Sequence, residues 1–193
     1  MKLVTLPVIL LLLSGCSQSL DDYQQMQPKL TLPGFFSGSS QAFGVLQNWR
    51  GQQTLHFSAE LCGQWQGNRG DLYEIFLYSD GRTDKRHWQL QVGADGQISG
   101  SAEDVVGVAT GQLAGNTLYW QYVLRIPQQG DYIDVTVKDW LYLIDADQLI
   151  NRSTLHKFGL TVGELTLAIT RQDRSADCTA FIDRYQQTER TAD

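Results

Sequence analysis

Residues 114–143 read AGNTLYWQYVLRIPQQGDYIDVTVKDWLYL. After the turn Ala114-Gly115-Asn116, the apolar residues Leu118, Trp120, Tyr122, Leu124 and Ile126 recur at every second position. Gln128 to Asp131 turns the chain, and Ile133, Val135, Val137, Leu141 and Leu143 resume the alternation, with Asp139 as its polar interruption. A period of two marks a strand with one face toward a core. Two such runs joined by a Gly-containing turn predict an antiparallel hairpin.

The same pattern extends in both directions. Upstream, Leu55, Phe57, Ala59 and Leu61 alternate with polar residues, and Tyr73, Ile75 and Leu77 alternate with Glu74, Phe76 and Tyr78. Ser79-Asp80-Gly81 and Ala94-Asp95-Gly96 are tight-turn signals around a strand that holds His87-Trp88-Gln89-Leu90. Short strands are predicted over 97–103 and 107–113. Downstream, strands are predicted over 148–158 and around Leu165, Leu167 and Ile169. No helical stretch long enough for a parallel crossover separates them. The last segment, Ser175 to Gln187, has Phe181, Ile182 and Tyr185 at helical spacing. The prediction is an all-β, antiparallel, up-and-down barrel of eight to ten strands with a short C-terminal helix. Closure removes exposed sheet edges, and a barrel of this size can enclose one small ligand.

The chain has 193 residues and a net charge of −6, with 20 aromatics spread along it. The acidic balance argues against a nucleic-acid-binding face, and the aromatics exclude low-complexity disorder. Three cysteines make an odd count. Met1-Lys2 followed by the apolar run Leu3–Leu13 has the shape of a signal-peptide core, at eleven residues too short to span a bilayer. It ends in Leu13-Ser14-Gly15-Cys16, which looks like a bacterial lipobox. The expectation is a lipoprotein signal peptide over 1–15, with Cys16 acylated and anchored in the bilayer. Ser17, where an Asp would favour inner-membrane retention, points to the outer membrane, with the domain in the periplasm. Removing the signal leaves 14 basic and 21 acidic residues, a charge of −7. Residues 16–32, polar and rich in Gln, Asp and Ser, read as a flexible tether, and 33–193 as a single domain.

Cys62 and Cys178 remain. In an oxidising compartment an even pair forms a disulfide most simply. Two separate buried thiols are the alternative.

No G-x-S-x-G elbow, P-loop, dinucleotide fingerprint or C-x-x-C is present. His56, His87 and His156 are not at metal-ligand spacing. The sequence therefore calls for neither a metal nor a cofactor. Two polar features stand out. Glu103-Asp104 precedes Val105-Val106-Gly107, and Asp139 shares parity with Val137 and Leu141. An inward carboxylate needs a partner or is driven toward its neutral form. Arg152 or Lys157 on the next strand would supply one, orienting a ligand head group. A structural salt bridge, or a bulge that turns Asp139 outward, is the other reading. Trp88, Trp120, Trp140, Tyr119, Tyr122 and Tyr142 suit a pocket lining and cross-strand packing equally well.

Several words along the chain resemble a family of proteobacterial lipoproteins built on a domain of unknown function. They are Tyr78-Ser79-Asp80-Gly81, Ala102-Glu103-Asp104-Val105-Val106-Gly107, Asp139-Trp140-Leu141-Tyr142-Leu143-Ile144-Asp145, Leu149-Ile150-Asn151-Arg152-Ser153 and Lys157-Phe158-Gly159. The likeness covers roughly 35–170. It brings no catalytic residues with it. Its members are often encoded near cyclopropane-fatty-acid-synthase-like and related lipid-modifying enzymes, which implies a link to membrane lipids. In architecture the chain also resembles lipocalin-like barrels, although the Gly-x-Trp opening is absent; Phe43-Gly44 and Asn48-Trp49 occupy that region instead. Fold alone does not give function.

The sequence thus leads to a non-enzymatic, outer-membrane-anchored lipoprotein that binds or carries an apolar ligand, such as a fatty acid or phospholipid. Asp104, Asp139, Trp140, Tyr142, Asn151 and Arg152 are its candidate ligand-binding residues. The alternatives are an interaction module of an envelope complex and an enzyme using Glu103, Asp104 and Asp139 on lipid substrates.

Overall fold

A computed structural model describes residues 18–128 and 130–188. The signal peptide and Cys16 lie outside the described residues. Ten strands follow one another: β1 (Gly38–Asn48), β2 (Gln53–Gln66), β3 (Arg69–Tyr78), β4 (Thr83–Val92), β5 (Gln97–Ser101), β6 (Ala109–Ala114), β7 (Thr117–Gln128), β8 (Asp131–Leu143), β9 (Gln148–Lys157) and β10 (Leu160–Asp173). Each pairs antiparallel with its sequence neighbour, and β1 pairs with β10 from Ser39↔Asp173 to Asn48↔Gly163, closing an up-and-down barrel. The hairpin read from residues 114–143 is β7–β8, in register from Thr117↔Tyr142 to Gln128↔Asp131. Glycines with positive φ sit in the turns that the sequence marked (Gly81, Gly96, Gly115 and Gly130) and in two it did not (Gly51 and Gly159).

Two segments close the barrel's ends and flank. The short helix α1 (Leu32–Phe36) is capped by Thr31, whose side chain accepts a bond from the Gly34 N–H at 3.2 Å. It buries Leu32, Phe35 and Phe36 in the end of the barrel where β1 begins, and the β1–β2, β3–β4, β7–β8 and β9–β10 turns ring the other end. The C-terminal helix α2 (Thr179–Gln187) starts later than the predicted Ser175. It lies on the outside of β3, where Tyr185 meets Tyr73 edge-on at 5.2 Å and Lys85 Nζ donates to the Tyr185 carbonyl at 2.9 Å. Cys178, just before it, is disulfide-bonded to Cys62 on β2, and both are buried.

The segment read as a tether is docked from residue 18 onward. A 3₁₀ turn (Leu20–Tyr23) packs on β6 and β7, and Leu30 is buried and donates its N–H to the Gly115 carbonyl at 2.8 Å. Composition suggested mobility because the polar residues dominate, but Tyr23, Leu30 and Leu32 are enough to hold it.

The α1 plug depends on a close backbone approach. A Cβ at Gly63 on β2 would lie 1.9 Å from the Phe36 carbonyl oxygen. Gly63→Ala is expected to push α1 off the barrel end and cost about 1–3 kcal/mol, read as a fall in the urea midpoint. An unchanged midpoint would show that α1 is not seated there.

Candidate functional site

The barrel encloses a cavity of about 130 Å³, lined on its apolar side by residues that include Phe57, Leu72, Leu118, Trp120, Leu141 and Leu167, with Leu32 and Phe36 of α1 at its floor. That is close to the roughly 150 Å³ of an engineered apolar cavity that takes up benzene. It falls below the several hundred Å³ of a pocket for a whole drug-sized ligand. The lumen is therefore neither packed solid nor roomy enough for an entire phospholipid.

The cavity is not apolar throughout: polar side chains reach it from β3 and β4 on one side and from β7, β8 and β9 on the other. Glu74 (β3), Arg86 (β4), Tyr122 (β7), Asp139 (β8), and Asn151 and Ser153 (β9) all border it. Strand parity puts them there. Asp139 stands opposite Trp120 on one neighbouring strand and Ser153 on the other, so all three side chains share the inner face. Glu74 is likewise opposite Arg86. The Arg86 guanidinium donates to Asp104 through Nε at 3.0 Å and Nη2 at 2.7 Å, a fork-to-fork contact. Asp104 sits on the β5–β6 connection, which folds against the barrel through Arg125 N–H to the Asp104 carbonyl and Val106 N–H to the Val123 carbonyl. Glu74 approaches the other guanidinium nitrogen at only 3.9 Å.

The electrostatics follow from burial. Loss of water pushes the Glu74 carboxyl up to about 7; Arg86 and the Trp88 indole oppose the rise, while Asp104 and Asp139 add to it. Loss of water likewise pushes Asp139 up to about 6, against the opposing pull of Ser153, Arg86, Tyr122 and Asn151. Burial raises the Tyr122 hydroxyl well above its ordinary value, with Asp139 adding to the effect. Burial alone would lower Arg86, but Asp104, Tyr122 and Glu74 outweigh it and keep the guanidinium charged. Asp139 is 7% exposed, and its Oδ1 is buried with no hydrogen-bond partner.

The candidate residues from the sequence divide by parity. Asp139 and Asn151 face the cavity, and Asp104 grips Arg86 at its edge. Arg152 is not the partner of Asp139. It stands opposite Trp140 on the outer face, 67% exposed, with Glu164 at 3.9 Å. Lys157 is not that partner either; its ammonium lies over the Phe158 ring near the β9–β10 turn. Trp140 and Tyr142 also face outward, because residues one step from Asp139 must point to the opposite side of the sheet. There they form an aromatic cluster with Tyr119 and Tyr23. Trp140 is 4.8 Å from Tyr119 and 5.8 Å from Tyr23, and Tyr142 is 5.7 Å from Tyr23. The Tyr23 and Tyr142 hydroxyls both donate to Gln18 Oε1, at 2.6 and 3.0 Å. These side chains hold the N-terminal segment on the outer face of the barrel. Trp140→Ala is expected to release that segment, seen as faster proteolytic cleavage near residues 24–29, with the lumen unaffected. Equal cleavage rates would contradict this role.

Glu74, Arg86, Tyr122 and Ser153 complete the site and were not candidates from the sequence. Arg86 carried the clearest signal, since it shares parity with the inward Trp88 and Leu90. Glu74 was ambiguous because β3 is apolar on both faces: Tyr73 is covered by α2, and Leu77 is exposed. Among the described residues, no group of three His, Cys, Asp or Glu is arranged to hold a metal ion.

Comparison with known proteins adds the family. The family model DUF3833, described as a protein of unknown function, matches residues 10–171. The chain belongs to the DUF3833 family. No match is found among curated proteins. Among solved structures, the DUF3833 barrel is similar to the S-type phycobiliprotein lyase CPES from Guillardia theta, with a TM-score of 0.50 at 8% identity over 71% of this chain and 88% of that one. It is also similar to a redesigned β-barrel, mFAP1, bound to DFHBI, with a TM-score of 0.40 at 15% identity over 72% of this chain and 97% of that one. At such identities the likeness is one of fold, that of lipocalin-like barrels.

Proposed function

We propose that this barrel binds a small, largely apolar molecule in its lumen, as a lipoprotein held at the outer membrane by an acylated Cys16, and that binding rather than catalysis is its activity. The observation that carries the reading is the cavity itself. It is apolar over most of its wall and carries one polar cluster that spans the lumen, the layout of a site that selects a ligand by an oriented polar group. Its size suits the apolar part of a lipid-derived molecule, a ring or a short run of methylenes, and excludes a whole phospholipid. The lipobox-like Leu13-Ser14-Gly15-Cys16 supports the anchor. Mass spectrometry of the purified protein tests it: a diacylglyceryl modification on Cys16 is expected, and an unmodified thiol there would refute it.

Ligand binding is tested with toluene, whose uptake should quench or shift the emission of Trp88 and Trp120 in the cavity wall. At a hundredfold excess over Kd the stabilisation should be about 2.7 kcal/mol, a rise in Tm of roughly 5–10 °C for a domain this size. Leu141→Trp, which fills the lumen, should abolish the response while the far-UV spectrum is kept. No response in the parent protein would remove this reading.

One observation favours a second reading, acid–base catalysis: two buried carboxyls, at about 7 and about 6, share one cavity. It predicts that a bound ligand is recovered chemically altered, and that Asp139→Asn stops the change without stopping binding.

A further inference from the structure

The charge balance of the lumen says which polar group the ligand carries; this rests on the lumen being a binding site. Arg86 is the one cation among the cavity-lining residues, and Asp104 occupies it through two hydrogen-bonding nitrogens. That leaves Glu74 with a 3.9 Å approach and no matching fork. It leaves Asp139 with no cation in direct contact: Arg152, the nearest basic residue in register, points away from the lumen. The Oδ1 atom of Asp139 is buried, unpartnered and on the cavity wall. A buried acceptor left unsatisfied costs about 1–3 kcal/mol, and more when charged. Native structures seldom keep such an atom without a ligand, ion or water to fill it. Ser153, Tyr122 and Asn151 reach the same carboxyl as hydrogen-bonding neighbours, yet Oδ1 stays without a partner. The Ser153 hydroxyl already donates to Asn151 Oδ1 at 3.0 Å. Asp139 Oδ1 thus offers the lumen an acceptor that no donor of the chain fills.

We propose that the lumen selects a soluble alkyl- or arylalkylamine whose ammonium group sits between Asp139 and Glu74 while its apolar part lies against Leu118, Leu141 and Leu167. An ammonium brings three donors, one of which can fill Asp139 Oδ1, and a positive charge that Arg86, held by Asp104, does not deliver to that atom. Two carboxylates offset its desolvation, a cost that a single buried ion would not recover. A fatty-acid carboxylate brings a further negative charge and no donor, so it is excluded from the same seat. Uptake of the ammonium holds Glu74 and Asp139 in their ionised forms, and protons leave the protein as the amine enters.

The test is calorimetric titration of the full chain at pH 7 with benzylamine, benzyl alcohol, benzoate and toluene. Benzylamine is expected to bind at least tenfold more tightly than benzyl alcohol, and benzoate not at all. Repeating the benzylamine titration in two buffers of different ionisation enthalpy should show proton release. Asp139→Asn should bring benzylamine down to the level of benzyl alcohol and leave toluene unchanged. Glu74→Gln, on the opposite wall, should do the same in part, which guards against one variant simply failing to fold. Benzoate binding as well as benzylamine, or an amine preference that survives both substitutions, would overturn the proposal. If toluene binds and benzylamine does not, the amine inference fails and the binding reading stands. If none of the four binds, both fail.

Discussion

Raising the pH from 5 to 8 is expected to destabilise this protein, with most of the loss between pH 5.5 and 7.5. Glu74 is held at about 7 and Asp139 at about 6, both above their ordinary values of 4.5 and 3.8. The folded chain therefore binds these two protons more tightly than the unfolded chain does. Between about pH 4 and 7 the folded state carries the excess of protons, so stability falls as the pH rises through both values. One pKa unit corresponds to about 1.4 kcal/mol, so between pH 5 and 8 Glu74 accounts for a loss on the order of 2–3 kcal/mol and Asp139, about half of whose range lies below pH 5, for roughly 1–2 kcal/mol. Arg86 faces both carboxyls, so their effects overlap and the total is below the sum. The groups turned toward them are Arg86 on β4, Asp104 on the β5–β6 connection and Tyr122 on β7; the Arg86 guanidinium stays charged and the Tyr122 hydroxyl neutral across this window. Urea unfolding at pH 5 and pH 8 measures the difference. Glu74→Gln and Asp139→Asn should each flatten the profile and raise stability at pH 8. A parent protein as stable at pH 8 as at pH 5 would show that the two carboxyls are not buried as described.

The second large effect is expected on removing the disulfide. Cys62 and Cys178 are 116 residues apart, so the bridge closes most of the barrel into one loop. In the chain-entropy account a loop of this length confers about 4.8 kcal/mol. Measured values often fall short of this, so a loss of about 3–5 kcal/mol is expected for the Cys62→Ala, Cys178→Ala double variant. For a domain of this size that lowers Tm by roughly 8–15 °C. Helix α2 keeps the Tyr73–Tyr185 contact and the Lys85 bond, so the native fold should persist at low temperature. A Tm within 2 °C of the parent would make the bridge incidental.

The barrel was legible because its code is local. Alternation along 114–143 and glycines at the turns fix strand, face and pairing without long-range information. The disulfide was legible from cysteine counting, with the oxidising compartment as an expectation. The site was legible only in part, for reasons visible in particular residues. Asp139 announced itself by breaking an apolar series. Trp140 and Tyr142 were drawn in as neighbours in sequence, yet adjacency along a strand means opposite faces in space. Arg152 was chosen by distance along the chain, whereas the cation that faces Asp139, Arg86, lies on β4, across the lumen from β8. Closure of a ten-stranded sheet creates that neighbourhood, and no periodicity in the sequence reports it. The docked segment 18–32 was hidden for a similar reason: its anchoring residue Tyr23 meets Trp140 and Tyr142, far along the chain, on the outer wall of β8.

That docked segment also sets how the molecule would stand at a membrane. Gln18 is pinned by the hydroxyls of Tyr23 and Tyr142, and it is only two residues from Cys16. Two residues of extended chain reach about 7 Å. On the proposed acylation, the barrel is therefore not a balloon on a string but a short-stemmed cup. The stem is rooted beside the floor that α1 seals, and the rim of hairpin turns faces away from the bilayer. Exposed at that rim are Trp49, Tyr132, Phe158 and Leu160. A ligand would then be exchanged with the aqueous space rather than drawn directly from the leaflet beneath.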